Sequence, residues 1–321
     1  MSLRMRRSAW RRLAVSCALL GCSCQPRPIG PPPNAPSVVR PLDAIPADLD
    51  LVVRLDLRRI RDTLGGPAMA AISEQALKSL HGDDRATDAL LLTALSGTDT
   101  LWLGLRPARD WSTADTVFVM SGHFVGFSPE RAESKPRFGL PLDLGGNVRR
   151  YERAHPATRA APARIYTHAE DLVVSLSEAE IDSVERSFEQ HRGAPALEPA
   201  EQGALSAVAR PRILPPELFA GESTLRRLAL RAQRLELKAD LTGAGVDATL
   251  SFKFEDATVA QDVARALAEV GEALHSGAGR LAKFAARLKV SNAGQFVSLR
   301  LALGRDELGE LVNCRGSACA W

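Results

Sequence analysis

Lysine, aromatic residues and cysteine are all scarce in this chain. Its 321 residues hold six lysines against 35 arginines, two tyrosines, four tryptophans and five cysteines. Five cysteines are too few for a disulfide-dense mini-scaffold. No uninterrupted apolar run approaches the ~20 residues that cross a bilayer as a helix. Glycine has no collagen period, and the 25% charged residues are mixed in sign, which excludes a charge-dominated disordered chain. What remains is 45% hydrophobic, enough for a sizeable core in one large or two ordinary domains.

Chemistry-bearing motifs are missing as well. There is no GxSxG elbow, no SxxK, no HExxH, no GxGxxG and no calcium-loop signature. Ser276-Gly-Ala-Gly-Arg280 is glycine-rich but lacks the Lys-Ser/Thr of a phosphate loop, so it reads as a link between helices. The six histidines, at 81, 123, 155, 168, 191 and 275, are scattered, whereas metal sites need clustered ligands. No cofactor or metal is therefore expected. Asp48, Asp50 and Asp56 flank the first strand, and solvated strand-edge and cap roles are expected for them.

The formal net charge of +3 divides unevenly. Arg4, Arg6, Arg7, Arg11 and Arg12 precede residue 22 and no acid does, so a chain beginning at Cys22 carries 36 basic and 38 acidic groups, a net of −2. An arginine-rich start followed by the short apolar run Leu13 to Gly21 has the form of an export leader. The run ends in Leu19-Leu20-Gly21-Cys22, which resembles the lipobox of bacterial lipoprotein precursors. That resemblance covers these residues alone. It implies cleavage before Cys22, a diacylglyceryl group on the Cys22 sulfur, and an acyl chain such as palmitate on its amine. By resemblance to the enterobacterial sorting rule, Ser23 in place of Asp points to the outer membrane. Neither Arg6-Arg7 nor Arg11-Arg12 has the following context of a twin-arginine signal. Residues 22–42 are proline-rich, favour extended conformations and form a tether.

Beyond the tether, period-2 and helical patterns alternate. Leu49, Leu51, Val53, Leu55 and Leu57 predict a strand with one buried face. Helical spacing follows from Gly65-Gly66-Pro67 to Leu80, and again from Arg85 to Leu95 with Asp83 or Asp84 as its cap. Leu101 to Arg106, Thr116 to Ser121, Val148 to Arg153, Arg164 to Thr167 and Leu172 to Leu176 predict strands. Ser177 to Gln190 predicts a helix with Ser177 and Glu180 as a capping box. Glu130 to Gly146 reads as an irregular excursion, and Gly193 to Pro216, with five prolines, as a boundary. Leu235 to Leu241 and Val246 to Phe254 alternate without exception around Gly243-Ala-Gly245, the pattern of an antiparallel hairpin. Its first arm is expected to start at Leu228, with a bulge at Gln233-Arg234. A helix from Ala257 to His275, a short one from Leu281 to Leu288, a strand from Phe296 to Leu303 and a helix from Asp306 to Val312 complete the reading.

The expected fold is α+β: two units of antiparallel or mixed sheet with helices packed on one face, ferredoxin-like repeats being one form of it. The expected layout is a leader over 1–21, tether over 22–42, first domain over 43–192, linker over 193–216 and second domain over 217–321. In general character, with its Ile45-Pro46-Ala47-Asp48 opening, the folded part resembles exported bacterial proteins of a strand, helix, hairpin plan.

Function is less legible than address. The expectation is a lipid-anchored envelope protein with a binding or structural role and no catalysis, partnered by membrane lipid through Cys22 and by an envelope protein or polyanionic envelope component. Arginine clusters at 54–61, 149–153 and 226–234 could meet polyanions, while the net of −2 and the leader argue against nucleic acid. Two alternatives stay open. One is an envelope hydrolase assembled from distant loops, for which His123, or His168 with Asp171, is the least bland candidate. The other is a homo-oligomer built on a hairpin edge at Phe252-Lys-Phe254. Cys314 and Cys319 are expected to form a terminal disulfide in an oxidising envelope rather than a zinc pair, leaving Cys24 as the odd thiol. Freshly isolated envelope protein should accordingly leave both Cys314 and Cys319 unalkylated until reductant is added; free alkylation of both refutes the bridge.

Overall fold

In the computed structural model, the described residues are 40–65, 85–106, 115–131, 137–154, 161–190, 197–213, 230–276, 286–304 and 306–307. Among these residues twelve strands run β1 Leu51–Asp56, β2 Thr98–Arg106, β3 Asp115–Gly122, β4 Leu142–Gly145, β5 Val148–Glu152, β6 Arg164–His168, β7 Leu172–Leu176, β8 Leu205–Ala209, β9 Arg234–Thr242, β10 Gly245–Lys253, β11 Lys289–Ala293 and β12 Phe296–Gly304. The helices are α1 Leu57–Leu64, α2 Arg85–Ser96, α3 Ile181–Gln190 and α4 Ala257–Ser276. All strands belong to one sheet, in the order β11-β12-β10-β9-β8-β1-β2-β3-β7-β6-β5-β4. Every pairing in it is antiparallel.

Period-2 geometry sorts the core into layers. Pairing aligns Leu55, Leu101, Met120 and Val173 on one face, with Phe118 beside them; there they meet Leu57 of α1 and Leu90, Leu91 and Leu95 of α2. Val52, Val117, Val119, Val174 and Tyr166 point the other way, onto Val184 and Phe188 of α3 and onto Ala44 and Ile45. β3 and β7 are thus buried on both faces and read as nearly continuous apolar runs. In the second half, Leu235, Phe252 and Val297 pack on Ala260 and Val263 of α4, together with Leu51, which shares its β1 face with Leu55. Three of the four described helices therefore share a face, and α3 lies on the reverse one. Across β9, β10 and β12 that reverse face carries Glu236, Lys238, Asp247, Thr249, Ser251, Ser298 and Arg300, paired across strands by Ser251 with Ser298 and Arg300 with Asp247.

The α+β class stands, in a single large sheet rather than two separate ones. β8 lies inside the proline-rich segment expected as a boundary and bonds to β1 and β9. The strand at 51–56 is central, with Val52 buried against the α3 side, instead of having one buried face. The described residues open with the 3-10 turn Pro41–Ala44, closed by Asp43 accepting from the Arg40 amide at 2.8 Å. The capping box at Ser177 does not form: Ser177 Oγ accepts from the Thr116 amide at 3.0 Å and the Glu180 carboxylate turns to Arg106. Residues 230–233 are turn and bend, not an extension of β9. Helix expectations over 66–80 and 281–285, and the chain from 308 on, lie outside the described residues.

The β9–β10 hairpin closes through the Gly245 amide, which donates to Thr242 Oγ1 at 3.2 Å. A β-carbon on Gly245 would sit 1.9 Å from the Leu303 carbonyl oxygen, at a φ of +152°, whereas one on Gly243 meets nothing within 4 Å. Gly245→Ala should cost about 1–3 kcal/mol in urea unfolding, while Gly243→Ala should stay within about 0.5 kcal/mol of wild type.

Candidate functional site

Three turns converge at one end of β3, β5, β6 and β7. The chain leaving β3 folds back through a Phe127 amide to Phe124 carbonyl bond of 3.0 Å, with Gly126 at φ +74°, and the Phe124 amide donates to the Glu170 carbonyl at 2.8 Å. Ala169, in the β6–β7 turn, adopts φ +46°, and its amide donates to the Asn147 carbonyl of the β4–β5 turn at 3.0 Å. Left-handed backbone at a non-glycine residue is uncommon and depends on such anchoring.

These turns border a half-open pocket of about 240 Å³ lined by Phe124, Phe127, Tyr151, Arg149, Glu130 and Thr167, with Glu170 and Ser128 among its other walls. Phe124 and Phe127 stand 6.3 Å apart in a tilted pair, and Tyr151 is 2% exposed. Its charges are unusual. Glu130 Oε2 is buried and has no hydrogen-bond partner. Arg149 projects from the same face of β5 as Tyr151, is exposed, and makes no ion pair among the described residues. The two opposite charges line one cavity without pairing with each other.

Elsewhere, buried charge is matched. Glu180, 1% exposed, accepts from Arg106 Nε at 2.8 Å and from Ser183 Oγ at 2.7 Å. Arg106 also reaches Asp48 Oδ1 at 2.9 Å, and hydrogen bonding to Glu180, opposed by burial, lifts its pKa above the ordinary arginine value. For Asp48, burial pushes the carboxyl up, but the Arg106 hydrogen bond and charge outweigh it, leaving the net value below the usual range. Asp50, 6% exposed, is held by Arg212 and by Arg210. On the α3 side, the Tyr166 hydroxyl donates to Glu185 Oε1 at 2.6 Å beside Arg164, and burial and that bond raise its pKa above the ordinary phenol range.

The sequence candidates fall differently. His168 and Asp171 do pair, Nδ1 to Oδ1 at 3.2 Å, but in an exposed turn where no serine, threonine or cysteine joins them among the described residues. His123 is exposed, its amide bonded to the Gly97 carbonyl. Asp56 caps α1 as expected, accepting from the Arg59 amide at 2.9 Å, whereas Asp50 is a buried ion-pair centre rather than a solvated edge. Several clustered arginines are engaged internally: Arg54 with Gly203, Arg59 with Asp240, Arg61 with Thr98 and Asp99, Arg150 with Glu152, Arg234 with Glu236. The hairpin edge proposed at Phe252 and Phe254 is interior: β10 is flanked by β9 and β12, and the rings are 8% and 0% exposed. Cys22, Cys24, Cys314 and Cys319, with His81, His155 and His191, lie outside the described residues. Among the described residues there is no group of three or more potential metal ligands, and no helix long and apolar enough to cross a membrane.

No family model and no curated protein matches the sequence. In fold the chain is similar to TP0453 in two crystal forms. Crystal form I aligns with a TM-score of 0.50 and 13% identity over 85% of this chain and 96% of that one. Crystal form III aligns with a TM-score of 0.52 and 10% identity over 85% and 98%. At such identities the likeness is one of fold.

The Arg106 junction yields a pH-dependent prediction. A folded pKa below the unfolded one means that the Asp48 contribution is present above about pH 4, the ordinary aspartate value, and is lost as pH falls through the folded value. Asp48→Asn should therefore lower the urea midpoint at pH 7, and by progressively less as the pH is taken below about 4. Arg106→Ala, which strands the buried Glu180 carboxylate, should cost about 3 kcal/mol at pH 7.

Proposed function

We propose that this chain is a lipid-anchored protein of the bacterial cell envelope, held by acylated Cys22, whose folded part binds a ligand or partner and does not catalyse. The observation that carries the reading is the succession of an arginine-rich leader, a lipobox at Leu19 to Cys22 and a proline-rich segment, followed by an ordered fold whose described residues begin at Arg40. At about 3.1 Å per residue, the intervening tether spans a few tens of Å, enough to set the sheet above headgroups. Two or three acyl chains anchor firmly where one holds only marginally. The outer membrane is the favoured site.

Binding is favoured over hydrolysis because, among the described residues, no nucleophile is bonded to the His168 and Asp171 pair, while the pocket behind Phe124 presents separated charges. The polar face of β9, β10 and β12, which no described helix covers, offers a second, flatter contact surface. Intact-mass analysis of membrane-extracted protein should give a chain starting at Cys22 plus a diacylglyceryl group and an acyl chain. Cys22→Ser should retain the leader and the unmodified side chain. An unacylated Cys22, or a retained leader in the wild type, overturns the anchor.

A further inference from the structure

We infer that the cavity between the β3, β4–β5 and β6–β7 turns is a binding site for a small zwitterion, a molecule with an ammonium at one end and a carboxylate or phosphate at the other. The argument starts from Glu130. A buried carboxylate oxygen without a protein donor is costly, and a positively charged donor is its best complement. Arg149, on the same cavity but not in contact with Glu130, presents a guanidinium free to grip an anion in a fork. Opposite charges that line one space without meeting are complemented by a ligand that bridges them. Thr167 and Ser128 add hydroxyls, and Glu170 adds a second negative charge that favours the cationic end.

Size and walls narrow the class. About 240 Å³ is the liquid volume of about eight waters, below the usual range for drug-sized ligands, so the occupant is a small metabolite or a lipid headgroup without its tails. Phe124, Phe127, Tyr151 and Leu172 supply ring and aliphatic surface, which suits the short apolar side chain of an amino acid and a cation over an aromatic face. The inference deepens the binding half of the proposed function and is independent of the lipid anchor, so calorimetry and mass analysis fail separately.

Isothermal titration of the full-length, detergent-solubilised protein tests it, with L-leucine and O-phosphoethanolamine as the zwitterions and isopentylamine and isovalerate as single-charge controls. Saturable binding of at least one zwitterion is expected, at least about tenfold tighter than either control. Preference for L-leucine identifies a free amino acid as the source, and preference for O-phosphoethanolamine a headgroup. Glu130→Gln and Arg149→Gln should each weaken that binding about tenfold or more, with urea midpoints in the absence of ligand no lower than wild type. Absence of saturation by both zwitterions at about 10 mM, equal binding of a control, or full binding by either variant overturns the assignment.

Discussion

Five residues of β8 hold the two halves of the sheet together. Leu205–Ala209 bonds β1 on one side and β9 on the other, so the whole second half is joined to the first through this short ladder. Ion pairs and backbone bonds secure both ends of it. At one end, Arg210 donates its amide to the Asp50 carbonyl while Arg210 and Arg212 bind the Asp50 carboxylate, and Arg106 and Arg210 reach the Asp48 carbonyl. At the other, the Asp56 amide donates to Ala204 and Arg54 donates to the Gly203 carbonyl. A short strand gives little pairing energy of its own, so these end clamps fix its register. A one-residue slip would turn Val208 away from the α3 layer.

The layers on either side explain why the candidate cavity sits where it does. In the first half, helices cover both faces, and β3, β6 and β7 spend their side chains on packing. In the second half, α4 covers one face and strand polarity answers the uncovered one. Concave space with both apolar and charged walls is left at the strand ends, where turns replace helices and Arg149 and Thr167 continue the face that Tyr151 and Ile165 fill further along. Loops set by a rigid scaffold are a common seat of binding for this reason.

How much of this was readable depends on how much burial each segment expresses. The β9–β10 hairpin was legible because one apolar face and one solvated face give an unbroken alternation around Gly243-Ala244-Gly245. The central strands were legible as apolar runs, but the second buried face of β1 was not, since Val52 alone marks it. β8 escaped because Leu205, Ala207 and Ala209 are small or few and sit among prolines; β4 and β11 escaped because edge strands of four or five residues carry little apolar signal. α1 follows the expected strand directly, overlapping it only at Leu57, and Asp56 ahead of Leu57 and Ile60 was its cap signal. Glu180 shows how a local motif yields to tertiary chemistry: its spacing from Ser177 fits a capping box, yet Arg106 offers the buried carboxylate a stronger partner. The cavity itself was not legible. Glu130 lies in a stretch read as irregular, and Arg149 was one arginine of a cluster; only the phenylalanines flanking Val125-Gly126 hinted at a built turn.

Charge accounting separates that cavity from the rest of the molecule. Arginine is the dominant cation, and its planar fork suits multiple partners. Arg106 joins Glu180 and Asp48, Arg164 joins Glu185 and Glu152, and two arginines share Asp50. The two buried carboxylates of this set, Glu180 and Asp50, thus have their cations, as burial demands. Glu130 is half-buried, and its buried Oε2 has no partner among the described residues while an unpaired guanidinium lines the same space. Were the two groups merely structural, closing the gap between them would relieve the desolvation cost of the buried Glu130 oxygen. They sit on separate elements, Glu130 on the 3-10 turn Pro129–Arg131 and Arg149 on β5, and opposite charges that line one space without pairing are the arrangement that a bridging ligand complements.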